Sequence, residues 1–325
     1  MKTSLAESNI LVTGGTGSFG SALIKKLLSL LPQVEKIICY SRRWQEQKQL
    51  ESEINGDSRV RFFIGDIRDT DRLNLALRDV NIVFHCAAIK DVPSLEYSPN
   101  EGILTNCNGT WNVIRAALDR GVDKVLFISS DKAVSPVNLY GASKAIGERL
   151  IVSSNHYSGG SSPIFSAARW GNVVGSSGSV VPLFRKQAQE GKAFTITDER
   201  MTRFWIAMST AVDFALQSVE WMEGGEIFVP HLKASRIVDV ALALRSDIPV
   251  QVVGIRPGEK LHETLISDEE LQHTYDLGWG MLIAPEVHLW NRARATPKSK
   301  IPYYKTYSSN SVEHYSINEL RQLLK

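Results

Sequence analysis

Thr13-Gly14-Gly15-Thr16-Gly17-Ser18-Phe19-Gly20 follows the apolar run 9–12 and opens a stretch, 19–31, whose apolar residues recur at helical spacing. A strand that turns through glycines into a helix leaves N–H groups open at the helix's positive end. Glycines there let a pyrophosphate approach the backbone closely. The spacing Gly14, Gly17, Gly20 departs from G-x-G-x-x-G, but its place directly after the first strand marks a dinucleotide-binding turn. Gly14, Thr16, Gly17, Ser18, Phe19 and Gly20 are the first candidate cofactor contacts.

Outward from this turn the alternation continues. Residues 36–40, 60–64, 82–85, 124–129 and 164–168 read as short buried strands, and 42–54, 100–119 and 138–154 read as helices. Strands of about five residues alternating with helices predict a parallel sheet covered on both faces. The predicted class is α/β, a Rossmann-type doubly wound parallel sheet. From about Gly171 the rhythm breaks into Gly/Ser-rich and irregular segments. We read 1–170 as the cofactor domain and 171–325 mostly as a smaller mixed α/β substrate lobe, with a return to the main domain around 226–243. The polar, tyrosine-rich stretch 303–314 reads as loosely attached.

The chain has 325 residues, 43% hydrophobic and 22% charged, with a formal net charge of +2. That balance gives no argument for a nucleic-acid partner, which needs a clustered basic face. The first eight residues are polar and unlike a signal peptide. No run of about 18 apolar residues marks a membrane span, so a cytoplasmic, membrane-free protein is expected. Cys39, Cys86 and Cys107 lack metal-ligand spacing and read as buried thiols in a reducing compartment; no metal site is expected.

The end of the second strand bears on the cofactor. An acid about 20 residues past the glycine turn holds a ribose 2′-hydroxyl, but this position carries Ser41, Arg42 and Arg43. A hydroxyl and guanidiniums suit a 2′-phosphate, which favours NADP over NAD. Asp66 and Ile67, after the third strand, read either as adenine contacts or as a cap before Asp69. Ala87 and Ala88, after the fourth, leave room for the nicotinamide half.

Ser129-Ser130-Asp131-Lys132 closes the fifth strand, and Tyr140 and Lys144 follow at i and i+4 on one helix face. The Lys144 ammonium is expected to lower the Tyr140 pKa and make the phenol a base, with Ser130 beside it. A lone Y-x-x-x-K is a poor signal; the strand-end Ser and the glycine turn give it meaning. Lys132 as a base needs a lowered pKa, and Asp131 as an acid a raised one.

The run SSDKAVSPVNLYGASKAIGERL, residues 129–150, resembles the UDP-N-acetylglucosamine 4,6-dehydratases, most closely the short inverting type that starts pseudaminic acid biosynthesis. The likeness extends through TGGTGSFG (13–20), YSR (40–42), GDIRD (65–69), HCAAIKDVP (85–93), RWGNVVGSSGSVVPLF (169–184), TDERMTRFW (197–205) and GIRPGEKLHE (254–263). Long membrane-anchored relatives carry Met in place of the Tyr, which this chain keeps as Tyr140. The departures are at 156–163 and after Gly278, with Trp170 and Ser177 as positions that reshape the pocket.

The resemblance implies a bound NADP and a UDP-N-acetylglucosamine-like substrate. Tyr140 takes the 4-hydroxyl proton, Lys144 holds Tyr140 and the ribose, Lys132 takes the C5 proton and Asp131 protonates the leaving 6-hydroxyl. It also places Asn172, Arg203 and Arg256 on the UDP phosphates, Glu259 on the uridine ribose and Thr195 near that half. Lys90 lies between cofactor and sugar, and Asn106 organises the cofactor side next to the catalytic helix. A homo-oligomer pairing through 97–120 and 138–154 is implied. A UDP-N-acetylhexosamine 4-epimerase shares everything except a need for Asp131 and Lys132. A non-catalytic NADP-sensing regulator would usually lack the intact Tyr140/Lys144 pair.

Overall fold

The computed structural model describes residues 5–159, 162–285 and 306–325. The first half alternates as β1 (Ile10–Thr13), α1 (Ser18–Leu30), β2 (Ile37–Ser41), α2 (Trp44–Glu53), β3 (Val60–Ile64), α3 (Thr70–Ala76) and β4 (Ile82–His85). Two short helices, α4 (Val92–Tyr97) and α5 (Pro99–Gly102), precede α6 (Gly109–Arg120), β5 (Lys124–Ile128), α7 (Leu139–Ser153) and β6 (Ile164–Ala168). Every residue of β1, β2, β4, β5 and β6 is buried. That is what a parallel sheet sandwiched between helices requires. On α1, Leu23, Ile24 and Leu27 form the buried stripe, at the i, i+3, i+4 spacing that turns one helix face to the core.

The second half contains β7 (Asn172–Val173), α8 (Val180–Gln189), β8 (Phe194–Ile196), β9 (Thr202–Ile206), α9 (Met208–Trp221) and β10 (Ile227–Val229). It continues as β11 (Ala234–Arg236), α10 (Ile237–Leu244), β12 (Val250–Val252), β13 (Thr264–Ile266), α11 (Asp268–Leu271), β14 (Thr274–Asp276), β15 (Met281–Ile283), β16 (Tyr307–Ser308) and α12 (Ile317–Leu323). Among the described residues the main sheet runs β14-β15-β10-β6-β5-β4-β1-β2-β3. It is parallel from β3 to β10, and β15 and β14 add an antiparallel edge. The order reverses between β1 and β4, and a crevice opens at their carboxyl ends, where α/β sheets bind ligands.

Three expectations need correction. The helix foreseen over 100–119 is interrupted by a π-helical turn, Ile103–Asn108. Of the expected return at 226–243, only β10 joins the main sheet; α10 packs into the lobe core with Phe184, Phe194, Trp205 and Leu320, while β14 and β15 return unforeseen. Among the described residues three short sheets carry the lobe: β11-β9-β7, β12-β8 and β13-β16. Within the tyrosine-rich stretch, 303–305 lie outside the described residues, and Tyr307 is buried against β13 rather than loose.

Candidate active site

A continuous cleft of about 1210 Å³ runs from the glycine turn, past the ends of β4 and β5, to the lobe. That exceeds the 300–1,000 Å³ usual for one drug-sized ligand, so a dinucleotide and a second ligand can lie side by side. Gly14, Thr16, Gly17, Ser18, Phe19, Gly20, Ser41, Arg42, Asp66, Ile67, Ala87, Ala88 and Lys90 all line it, as do Ser130, Lys132, Tyr140, Lys144, Asn172, Thr195, Arg203, Arg256 and Glu259. Asp131 and Asn106 do not. Asp131 is fully buried behind Ser130 and Lys132. The Asn106 side chain sits behind the wall, bonding both backbone groups of Ile89 and the Ser143 hydroxyl. The wide π-turn gives it that position: it braces the wall and does not touch the cleft.

The glycine turn fits a pyrophosphate. Gly14 has φ +65, and a Cβ there would stand 2.9 Å from the Ala87 Cα. A Cβ on Gly20 would collide with the Gly14 carbonyl oxygen. Gly17, the N-cap of α1, contributes no capping side chain, so the first-turn amides stay available to an anion. The turn is fastened from above, since the Ser177 N–H donates to Ser18 Oγ (3.1 Å) and the two hydroxyls lie 2.9 Å apart.

The ribose end mixes charges. Arg42 is exposed, with Nη1 4.0 Å from Asp66 Oδ2. Arg68 grips Asp66 at 2.9 and 2.7 Å, so that carboxylate is held by a neighbour; the cap of α3 is Asp69, which accepts the Arg72 N–H. Ser41 receives Gln47 Nε2 at 3.0 Å. Sequence reading missed Glu46, which accepts from Thr16 Oγ1 at 3.0 Å and pairs with Arg43 at 2.5 Å. It lies outside the expected position at the strand end, and the first turn of α2 carries it back to the cleft. Beneath the turn, buried His85 contacts the Thr13 and Thr110 hydroxyls at 2.7 and 3.0 Å. Burial pushes its pKa down to about 3, so it stays neutral.

The catalytic candidates converge at the end of β5. The α7 helix begins with Asn138 Oδ1 accepting the Gly141 N–H at 2.7 Å, which points Tyr140 and Lys144 at the cleft. Lys144 Nζ donates to the Ile128 carbonyl at 2.5 Å and lies 4.2 Å over the Phe127 ring. Burial lowers its pKa to about 8. Tyr140 does not titrate as expected. Burial raises its pKa, Lys132 opposes this, Asp131 adds to it, and a hydrogen bond from Ser130 opposes it. The cation acting on the phenol is Lys132, because the Lys144 head is turned to a backbone carbonyl.

Lys132 is also the reverse of the expectation. Its Nζ lies 3.0 Å from Asp131 Oδ1, 3.4 Å from Glu263 Oε1 and 3.5 Å from Asn172 Oδ1. Burial alone would lower its pKa, but the Asp131 and Glu263 carboxylates prevail and hold the ammonium above its ordinary range. Glu263, just before β13, is 2% exposed, and its Oε2 has no hydrogen-bond partner. Lys260 stands 3.8 Å from it and Arg203 Nε 3.7 Å. Sequence reading quoted Glu263 at the end of GIRPGEKLHE and gave it no role. A carboxylate about 130 positions from Lys132 leaves no spacing signal.

On the other side of the cleft, Arg203 is tied into its own lobe. Nη1 donates to the Thr202 and Leu261 carbonyls, and Nη2 to the Lys260 carbonyl and Met201 Sδ. That departs from a guanidinium open to a diphosphate. Arg256 lies exposed at the cleft mouth, its N–H on Glu259 Oε2 at 3.3 Å. The Thr195 hydroxyl accepts from Gln187 at 2.8 Å. Lys90 is exposed at the cleft edge, and desolvation by the surrounding walls lowers its pKa. Among the described residues no His/Cys/Asp/Glu cluster is arranged for a metal ion, and no helix is long and apolar enough to cross a membrane.

Residues 10–285 match the family described as polysaccharide biosynthesis protein. The chain is 48% identical over 282 residues, 86% of it and 84% of the relative, to a UDP-N-acetylglucosamine 4,6-dehydratase (inverting) of Campylobacter jejuni subsp. jejuni serotype O:23/36. It is 36% identical over 326 residues, 98% of it and 95% of the relative, to a UDP-glucose 4-epimerase of Rickettsia bellii. Among solved structures, the Pen protein from Bacillus thuringiensis superposes with a TM-score of 0.90 at 34% identity, covering 98% of this chain and 97% of that one. The chain belongs to the polysaccharide biosynthesis protein family of extended short-chain dehydrogenase/reductases, alongside the inverting UDP-N-acetylglucosamine 4,6-dehydratases.

Proposed function

We propose that this protein is an NADP-dependent hydro-lyase that converts UDP-N-acetylglucosamine to a UDP-4-keto-6-deoxy-N-acetylhexosamine with inversion at C5. The observation that carries the reading is the Asp131–Lys132 pair, 3.0 Å apart beside Tyr140. A 4-epimerase has no use for a second acid–base pair, whereas elimination across C5 and C6 needs one. Support for a nicotinamide cofactor comes from the glycine turn. Support for NADP comes from Arg42 and Arg43; Glu46 beside Thr16 is what an NAD ribose would use instead. We propose 1–170 as the cofactor domain and 171–325 mostly as the substrate lobe.

A nicotinamide dinucleotide held by the glycine turn would supply reversible hydride transfer, so that the hydride taken from the sugar could be returned within the same turnover. The remaining steps fall to the chain. The Tyr140 phenolate takes the 4-hydroxyl proton, helped by the Lys132 charge and the Ser130 hydroxyl. Oxidation at C4 acidifies the C5 proton. Lys132, once free of its own proton, takes the C5 proton and passes one across its hydrogen bond to Asp131, whose carboxylic acid then serves the departing 6-hydroxyl. Asp131 reaches the cleft only past Ser130, so Ser130 hands that proton on or turns aside. Arg256 and Glu259 at the mouth hold the nucleotide, and Lys90 faces the sugar or cofactor phosphate.

The test is to incubate the purified protein with UDP-N-acetylglucosamine in deuterium oxide without added reductant and read proton NMR. A 6-methyl signal with deuterium at C5 is expected, and the ring couplings give the C5 configuration. Formation of UDP-N-acetylgalactosamine alone would move the assignment to 4-epimerase, the reading that the Rickettsia relative favours. Titration with NADP and NAD accompanies it, and tighter NAD binding would reverse the cofactor choice.

A further inference from the structure

We infer that Glu263, from the lobe, is the positioning residue of Lys132: it fixes the ammonium at the cleft wall and sets the pH at which that amine becomes free to act. The inference rests on the proposed role of Lys132.

Five charged side chains from three places in the chain meet here. Asp131 and Lys132 come from the turn after β5, Arg203 from β9, and Lys260 and Glu263 from the segment before β13. Asn172 Oδ1 lies 3.5 Å from Lys132 Nζ, Tyr140 feels its charge, and the Ser130 hydroxyl donates to Asp131 Oδ1 at 2.9 Å. The amine therefore sits between two carboxylates on opposite lobes, Asp131 Oδ1 at 3.0 Å and Glu263 Oε1 at 3.4 Å. Glu263 cannot retreat: its N–H donates to Ser309 Oγ at 2.9 Å, and its carbonyl accepts the Ser309 N–H at 2.8 Å. Its backbone is pinned to the turn after β16, and its side chain is buried. Lys260 Nζ is drawn off to the Val134 carbonyl at 2.6 Å, and Arg203 donates its terminal nitrogens to carbonyls and the Met201 sulfur. Neither offers Glu263 a close bond, so its nearest cation is Lys132. An opposite charge within about 4–6 Å favours the charged form by roughly 1–3 pKa units. An amine held only by Asp131 would give up its proton more readily.

The experiment compares wild type, Glu263→Gln and Glu263→Asp as full-length proteins. Lys132 acetylation by acetic anhydride is followed against pH by mass spectrometry, and product formation is followed over the same range. In Glu263→Gln the labelling midpoint falls by about one to three pH units. The ascending limb of the rate profile moves down with it, and KM for UDP-N-acetylglucosamine stays within about threefold. Glu263→Asp keeps the charge and shows a smaller displacement. An unmoved midpoint in Glu263→Gln overturns the inference. So does a loss of kcat and KM together with an unmoved rate profile, which is the mark of a merely structural glutamate. Should Glu263→Gln fail to fold, the Glu263→Asp midpoint decides, and its equality with wild type counts against us. A wild type that makes no dehydration product would dismiss the proposed reaction, while the labelling arm still reports on Glu263.

Discussion

A methyl group at position 20 has nowhere to go. The Cβ of an alanine would strike the Gly14 carbonyl and come within 2.8 Å of the Gly15 Cα, both of them backbone that cannot swing aside. Overpacking of this kind costs about 1–3 kcal/mol. Because the displaced atoms form the phosphate cradle, Gly20→Ala should weaken nicotinamide dinucleotide binding by roughly 10- to 100-fold, read by calorimetric titration. Gly17→Ala meets the same carbonyl at 3.2 Å and should lose much less. The identities of such residues are legible in sequence because the constraint is local: glycines three apart, or Tyr140 and Lys144 four apart on one helix. Their proton affinities are not. Lys132 alone gives no hint that two carboxylates hold it charged, since one of them arrives from the other end of the fold. Nor does the helix spacing tell that Lys144 turns its head to Ile128 while Lys132 governs Tyr140.

At the scale of elements, α7, which carries Tyr140 and Lys144, is joined to the lobe by a buried ionic relay. Arg169, at the end of β6, donates to both oxygens of Glu148 on α7 at 2.9 and 2.7 Å. It donates to both oxygens of Glu270 on α11 at 2.8 Å each, and to the Leu265 carbonyl. Removing one partner of a buried pair leaves uncompensated charge and typically costs about 3–5 kcal/mol. Arg169→Met, which strands two carboxylates, should lower the unfolding free energy by at least that much in denaturant titration. A loss under about 1 kcal/mol would show that water reaches the carboxylates. The π-turn at Ile103–Asn108 was illegible for a related reason. Periodicity over 100–119 is satisfied by an uninterrupted helix, and only the packing of Asn106 against Ile89 and Ser143 favours the wider turn.

At the scale of the molecule, the doubly wound sheet followed directly from apolar pentads alternating with helices. The antiparallel edge, β14 and β15, did not. Its three-residue strands are too short to carry a period-2 signal, and they are fixed by pairing to β10 rather than by their own sequence. The surface leaves Ile103 45% exposed at the start of the π-turn and Ile146 48% exposed on α7 itself. We expect the protein to self-associate through this side. Light scattering should give a multiple of 36.1 kDa, and Ile146→Glu should return it to a single chain. A single-chain mass for the unmodified protein would dismiss the pairing.

The bond between Ser18 and Ser177 has a kinetic meaning. The strap that leaves the sheet at Gly171 lines the same cleft as the glycine turn and is hydrogen-bonded to it through Ser177 and Ser18, and would cover part of a dinucleotide bound there. A cofactor so covered would behave as a resident tool and not as a second reactant. The enzyme would obey the rate law of a one-substrate isomerase, indifferent to the surrounding pool of oxidised and reduced dinucleotide. Each preparation would then be only as active as the fraction of its molecules that left the cell already loaded.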